Sequence, residues 1–469
     1  MEPRIQPLTV HPPASRSLVS PAHGPLRLGL TTAVLCAGLT AGAANWPQYR
    51  GPGARGVDES QALATNWNVE TGSNIRWQTP LPGLAHASPI VWGDRVYVAT
   101  AVKPGKADLK VGLYGDITPL EEKEVHQWRL LALDKATGKI IWNTLGYEGV
   151  PRAPRHPKAT ACNSTPATDG SRIVAIFGSE GLFCFDMEGK PLWKKDLGPM
   201  DSGFYMVPSA QWGFASSPII ADGKVIVLCD VLTKPFIAAY ALADGKEVWR
   251  TARNDVPTWG TPALVETAGR KQIVVNGWHW TGGYDLATGQ NLWHMDGGGD
   301  VPVPTPVFAH GLIYLTSGHG KYMPMRAVRP DAAGDVTPDD PGQTNSAIAW
   351  AYAKRGNYMQ TPIVVGDLVF GCNDWGVLTC FDAATGAVHY SQRFNSGGQG
   401  FTASPVSDGC HIYFITEQGV VFVVAAASKY SLAAKNDLGE TCLATPAISE
   451  GTLFFRTRGK LIAIAKPRQ

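Results

Sequence analysis

Ser88-Pro89-Ile90-Val91-Trp92-Gly93-Asp94-Arg95-Val96-Tyr97-Val98 is the opening half of a unit that recurs along this chain. Two apolar residues follow the Ser-Pro pair, Gly93-Asp94 supplies a turn, and Arg95 to Val98 mixes polar and apolar positions as a half-buried strand does. After a long excursion the unit resumes at Leu130-Leu131-Ala132-Leu133-Asp134, turns through Lys135-Ala136-Thr137-Gly138 and ends in Ile140-Ile141-Trp142. Four β-rich runs joined by three loops make one antiparallel four-stranded blade. Its proline stands at the start of the first strand, where a missing N–H costs least.

The same opening occurs at Ser88-Pro89, Thr165-Pro166, Ser217-Pro218, Thr261-Pro262, Thr305-Pro306, Thr361-Pro362, Ser404-Pro405 and Thr445-Pro446. Spacings of 77, 52, 44, 44, 56, 43 and 41 residues describe a unit of about 40 to 45 residues with insertions, the period of propeller blades. The closing half also recurs, and a Gly in its turn can take the positive φ of a tight hairpin. Trp77, Trp142, Trp193, Trp249 and Trp293 close strands and are expected to dock each blade on its neighbour. The unit from Thr445 to Ile464 supplies only three strands, whereas Asn74-Ile75-Arg76-Trp77 has no blade of its own. The expected fold is therefore all-β: an eight-bladed β-propeller of four-stranded antiparallel blades, closed by an N-terminal strand in the last blade.

The 469 residues divide into a leader over 1–44, an N-terminal arm over 45–73 and the propeller over 74–469. Arg16 and Arg27 precede the apolar stretch Leu28 to Thr40, which ends in Ala41-Gly42-Ala43-Ala44; this reads as a signal peptide cut near Ala43 or Ala44, giving a secreted or periplasmic protein. The apolar core is short for a transmembrane span. Without the leader, 38 basic residues face 38 acidic ones, which argues against nucleic acid as the partner. Seven cysteines remain (162, 184, 229, 372, 380, 410 and 442) with no metal-type Cys-x-x-Cys spacing, and several sit in strand patterns as small core residues. A monomer is expected.

The motif Ala132-x-Asp134-x-x-Thr137-Gly138-Lys139-x-x-Trp142 resembles the tryptophan docking motif of PQQ-type eight-bladed propellers, which include quinoprotein alcohol dehydrogenases and the bacterial outer-membrane assembly factor of the BamB type. The opening Asn45-Trp46-Pro47-Gln48-Tyr49-Arg50-Gly51-Pro52 is similar to the start of a secreted branch of these repeat proteins. The dehydrogenase side of the resemblance implies PQQ beside an adjacent Cys-Cys disulfide, with Ca²⁺ held by Glu and Asn and an Asp as base. No two cysteines are adjacent here. The assembly-factor side implies a lipobox cysteine, and Ala33-Val34-Leu35 before Cys36 lacks its small residues.

Loops joining the second and third strands of a blade share one face with loops joining successive blades. Ala101 to Gln127, Asn143 to Asn163 and Lys194 to Phe214 are long insertions on that face, which makes it the expected binding surface. Asp331 to Asn345 leaves the opposite face and reads as a solvated loop. Just before the first strands stand His86, Asn163, Phe214, Trp259, Gln360 and Phe401. Turn positions on the same face hold Glu180, Asp230, Trp278, His279, His319, Asn373, Asp374, Trp375, Glu417 and Arg456, beside Trp280, Lys321 and Arg458. Such aromatic, acidic and imidazole groups suit a small ligand with an apolar body and polar edges; the competing expectation is that turn Asx and Glu side chains bind their own backbone.

These features point to a non-catalytic binding or scaffold protein that engages an envelope protein or a small-molecule ligand, with no catalytic residue, metal site or cofactor assigned. The alternative is a PQQ- and calcium-dependent oxidoreductase of an alcohol or sugar.

Overall fold

A computed structural model describes residues 44–105, 108–112, 115 and 117–467, so all but the last residue of the signal peptide expected over 1–44 lies outside the described residues. Eight four-stranded antiparallel blades form the propeller, one of them extended by a short fifth strand, and no α-helix occurs among the described residues. Blade 1 comprises Ile90–Trp92, Arg95–Val102, His126–Asp134 and Ile140–Gly149. Its strands outrun the repeat, so the excursions expected from Ala101 and Asn143 begin at 103 and 150 instead. Blades 2 to 7 follow over 167–195, 219–252, 263–295, 307–352, 363–393 and 406–437. Blade 8 takes Ala447–Ser449, Thr452–Arg456 and Lys460–Ala465 from the end of the chain and Ile75–Pro80 from its beginning. Ile75 pairs with Ile464 and Pro80 with Lys460, as the three-strand count of the last unit required.

The repeated Ser/Thr-Pro pair has a physical role. Each Ser or Thr stands two residues before an innermost strand, and in every blade but the first its hydroxyl accepts the backbone N–H of the equivalent residue in the preceding blade. The bonds run Ser88 to Thr165, Thr165 to Ser217, Ser217 to Thr261, Thr261 to Thr305, Thr305 to Thr361, Thr361 to Ser404 and Ser404 to Thr445, all at 2.9 to 3.2 Å. The short side chain thus satisfies an N–H that no strand can reach at this radius, and the following proline has no N–H to leave unpaired.

The closing tryptophans link blades at larger radius. The indole N–H of Trp77 donates to Lys135 O of blade 1, that of Trp193 to Leu242 O of blade 3 and that of Trp249 to Leu286 O of blade 4. Each ring lies where a Cβ on the turn glycine would stand, at Gly138, Gly245 and Gly289, all at positive φ; Trp142 covers Gly189 in the same way. Trp293 differs from this expectation. It is fully buried, yet its N–H turns back to Gln272 of its own blade. Blade 5 has no glycine turn to receive it, because the excursion after Val328 occupies that place. This segment is not the solvated loop expected for 331–345: Gly334–Asp335 adds a parallel fifth strand beside Trp293 and His294, and Ala332 and Val336 are buried. Trp350, overlooked in the repeat, docks on Ala383 O and Gly386 of blade 6.

The arm crosses the ring on the face opposite the long insertions. Trp46 exchanges backbone bonds with Val91 of blade 1, Pro47 O accepts from Thr168 of blade 2, and Gly56 and Asp58 bond Ser407 of blade 7. Arg50, fully buried at φ 60°, donates to Ala54 O, Arg55 O, Pro362 O and Pro405 O at 2.7 to 3.1 Å. Its guanidinium therefore caps two of the channel prolines, and the chain seals one end of the central channel. Six of the seven described cysteines are buried and none is bridged. No helix among the described residues is long and apolar enough to cross a membrane.

Candidate functional site

The sealed channel is a blind cavity of about 210 Å³ that opens toward the insertions. Tyr49 of the arm lines it, with its hydroxyl 3.0 Å from Ser404 Oγ. Two tiers of side chains form the wall. The deep tier is hydroxylic: Ser88, Thr165, Ser217, Thr261, Thr305 and Thr445. Two residues earlier in every blade stands the upper tier, His86, Asn163, Ala215, Trp259, Val303, Met359, Thr402 and Leu443, and all eight line the cavity. A fixed register thus sets the chemistry of the wall.

Of the residues expected before the first strands, His86, Asn163 and Trp259 stand in this tier. Phe214, Gln360 and Phe401 are instead buried one place out of register, and Ala215, Met359 and Thr402 take their places at the cavity. The signal that finds these three is the constant offset from the Ser/Thr-Pro pair. His156, Lys158, Trp212 and Tyr358 also line the cavity without having been singled out.

The insertions are tied across the mouth by a buried carboxylate. Glu417 Oε1 accepts from Lys158 Nζ at 2.9 Å and Thr402 Oγ1 at 2.6 Å, and its Oε2 accepts from Gly112 N at 2.7 Å. Burial opposes its charge, but Lys158 and these hydrogen bonds hold the carboxyl below its ordinary range. Behind it, Glu122 binds Arg155, Lys103 and His126. Burial again opposes the charge, and the bonds from His126 and Arg155 overcome it and hold this carboxyl far below the usual range.

A hairpin of Gly203–Phe204 and Val207–Gln211 carries aromatic residues over blades 4 and 5. Phe204 stacks on Trp212 at 5.3 Å, Trp212 meets Trp259 at 5.2 Å, and Tyr205 meets Trp278 at 4.8 Å. Trp278 lies against His279, and the backbone N–H groups of Trp278, His279 and Trp280 all donate to Asp255. Asp255 and Asp230 share the buried Arg253, so Asp230 serves this turn from beneath. His319 Nδ1 meets Asp300 Oδ1 at 2.6 Å beside Tyr358.

The remaining expected residues lie elsewhere. Glu180 is buried against Arg152 and Ser179. Arg456 is buried between blades 8 and 1, donating to Ala99 O and Thr100 Oγ1. Asn373 accepts the N–H groups of Trp375 and Val377 and shapes its own turn. Asp374 is partly buried, and burial pushes its carboxyl up. Trp375 is 65% exposed.

Burial lowers His86 to about 4, against the backbone bond to Lys158 O, with Arg456 and Arg155 adding to the fall; burial, Lys158 and Arg155 lower His156 to about 4. Both imidazoles are neutral at pH 7. Their folded pKa values lie below the ordinary 6.5, so the stability they contribute is complete above 6.5 and is lost as pH falls from 6.5 toward 4. The melting temperature is expected to drop over that window, and a His86→Gln/His156→Gln double variant to lose most of that dependence. An unchanged pH profile in the variant would contradict this assignment.

A family model described as outer membrane protein assembly factor BamB matches residues 56–203 and 126–392. The chain belongs to that family. Among solved structures, BamB from Moraxella catarrhalis is 15% identical, with a TM-score of 0.53 over 78% of this chain and 98% of that one. The C-terminal WD40 domain of Sif2 is 12% identical, with a TM-score of 0.52 over 84% and 98%. The computationally designed Ika8 protein is 9% identical, with a TM-score of 0.51 over 77% and 98%. Identities this low speak for the fold alone. No curated protein matches the chain.

Proposed function

We propose that this family member is a non-catalytic binding propeller of the cell envelope that captures a small ligand in its central cavity. The observation that carries the reading is the blind channel: the arm seals one end, and three insertions build a walled entrance at the other. The family's outer-membrane description and the leader read from the sequence support the envelope setting.

The quinone alternative requires oxygen donors for calcium and a counter-charge for PQQ. Ca²⁺ takes six to eight oxygens, with carboxylates prominent. Among the described residues no Asp or Glu lines the cavity, the adjoining Glu417 is bonded to Lys158, and no metal-type cluster of acidic, His or Cys residues occurs. PQQ carries carboxylates, and the one ammonium at the lining among the described residues, Lys158, is already paired with Glu417. These residues do not fit the calcium–quinone pair.

A thermal-shift screen of neutral, anionic and aromatic small molecules is expected to yield stabilising compounds whose effect disappears in Ala215→Phe, which fills the cavity. Saturable, calcium-dependent, one-to-one binding of PQQ would overturn the non-catalytic reading, as would hits indifferent to Ala215→Phe.

A further inference from the structure

The two tiers of the cavity differ in kind, and the difference specifies a ligand. This step rests on the cavity being a ligand site. In the deep tier, the hydroxyls of Thr165, Ser217, Thr261, Thr305 and Thr445 each already accept a backbone N–H. Their own protons have no acceptor among the described residues, and neither has that of Ser88. Each of these hydroxyls keeps a proton to give beside its remaining lone pair, so the deep tier can donate to the acceptor oxygens of a ligand. Above it, Ala215, Val303, Met359 and Leu443 with Trp259 make a largely apolar collar. Lys158 is matched by Glu417, and the two imidazoles are neutral, so among the described residues the wall offers no unmatched charge at neutral pH.

We propose that the cavity takes an uncharged carbonyl compound, a lactone or cyclic ketone with an alkyl body, which enters oxygen-first so that its acceptor oxygens meet the hydroxyl tier and its apolar body fills the collar. An anion or a cation would lose its hydration with no unmatched counter-charge to replace it. A polyol would set hydroxyls against the apolar collar of Ala215, Val303, Met359 and Leu443, where they find no partner. The cavity is smaller than the roughly 300–1,000 Å³ of sites for drug-sized molecules, which suits one ring and a short chain.

Ser88 gives a clean test, because its hydroxyl accepts none of the seven inter-blade N–H bonds and Ser88→Ala leaves those links intact. Calorimetry with δ-decalactone is expected to show saturable binding, lost in Ala215→Phe and weakened by a few-fold to about tenfold in Ser88→Ala at unchanged melting temperature. Infrared difference spectra should show the bound carbonyl stretch lowered, and less so in Ser88→Ala. The comparators are ring-opened hydroxydecanoate, decylamine and glucose. If one of them bound as tightly as the lactone and was displaced by Ala215→Phe, the carbonyl assignment would fall while the small-ligand reading stood. If δ-decalactone failed to bind, the assignment would fall, and the wider screen would decide the small-ligand reading separately.

Discussion

Arg50→Ala is expected to destabilise the protein by on the order of 3 kcal/mol or more, seen as a fall in the urea midpoint. The guanidinium is fully buried, and burial lowers its pKa to about 10, yet it donates to four backbone carbonyls. Hydrogen bonds from a charged donor contribute about 1.5–3 kcal/mol each, and carbonyls left dry cost about 1–3 kcal/mol each unless water reaches them. Arg50→Lys keeps the charge but cannot span carbonyls on the arm and on two blades, so it should recover only a minor part. Because the arm closes the channel floor, hydrogen exchange at Trp46 and Val91 should rise in both variants. A midpoint within error of the parent would mean that the arm contributes little to the fold.

Glu417→Ala is expected to cost about 3–5 kcal/mol, since it leaves the buried Lys158 ammonium without the carboxylate that faces it. The effect should be visible at the mouth. Exchange protection at 110–112 and 156–159 should fall, because Gly112 and Lys158 meet on this one side chain. Removing both charges in Glu417→Gln/Lys158→Met should restore a large share of the stability, as replacing a whole buried pair generally does. If the double variant were no better than the single one, the carboxylate would be acting through Thr402 and Gly112 and not through Lys158.

Much of this architecture is legible in the sequence because a propeller states its rule eight times. The Ser/Thr-Pro pair marks the innermost strand, the glycine turn and tryptophan mark the outer one, and the missing fourth strand of the last unit announces Asn74 to Trp77 as its supplement. The same register reaches part of the site: His86, Asn163 and Trp259 stand at the offset that lines the cavity. Phe214, Gln360 and Phe401 lie one residue from the lining positions Ala215, Met359 and Thr402, and a large or polar side chain beside a small or apolar one carries no local mark of which faces the cavity. His156, Lys158 and Trp212 sit in insertions that have no repeat, and their place depends on loops folding over a ring whose dimensions the local sequence does not carry. The arm was least legible. Nothing in Trp46-Pro47-Gln48-Tyr49-Arg50 indicates that its partners are Val91, Thr168, Pro362 and Pro405, because those contacts exist only after the ring has closed.

That order of events has a kinetic side. The strand Ile75–Pro80 finds its partner Lys460–Ala465 at the far end of the chain. Loop closure over such a span adds little to the equilibrium cost, since each doubling of length adds only about 0.6 kcal/mol, but contacts this distant slow folding. The final blade is therefore expected to form late, and a chain that lacks Ile75–Pro80 exposes the edge of Lys460–Ala465 within blade 8. The covalent break in this ring lies inside a blade and not between blades. A circular permutant that begins at 81 and carries 44–80 behind Ala465 would cut the separation of these two strands to the length of the arm.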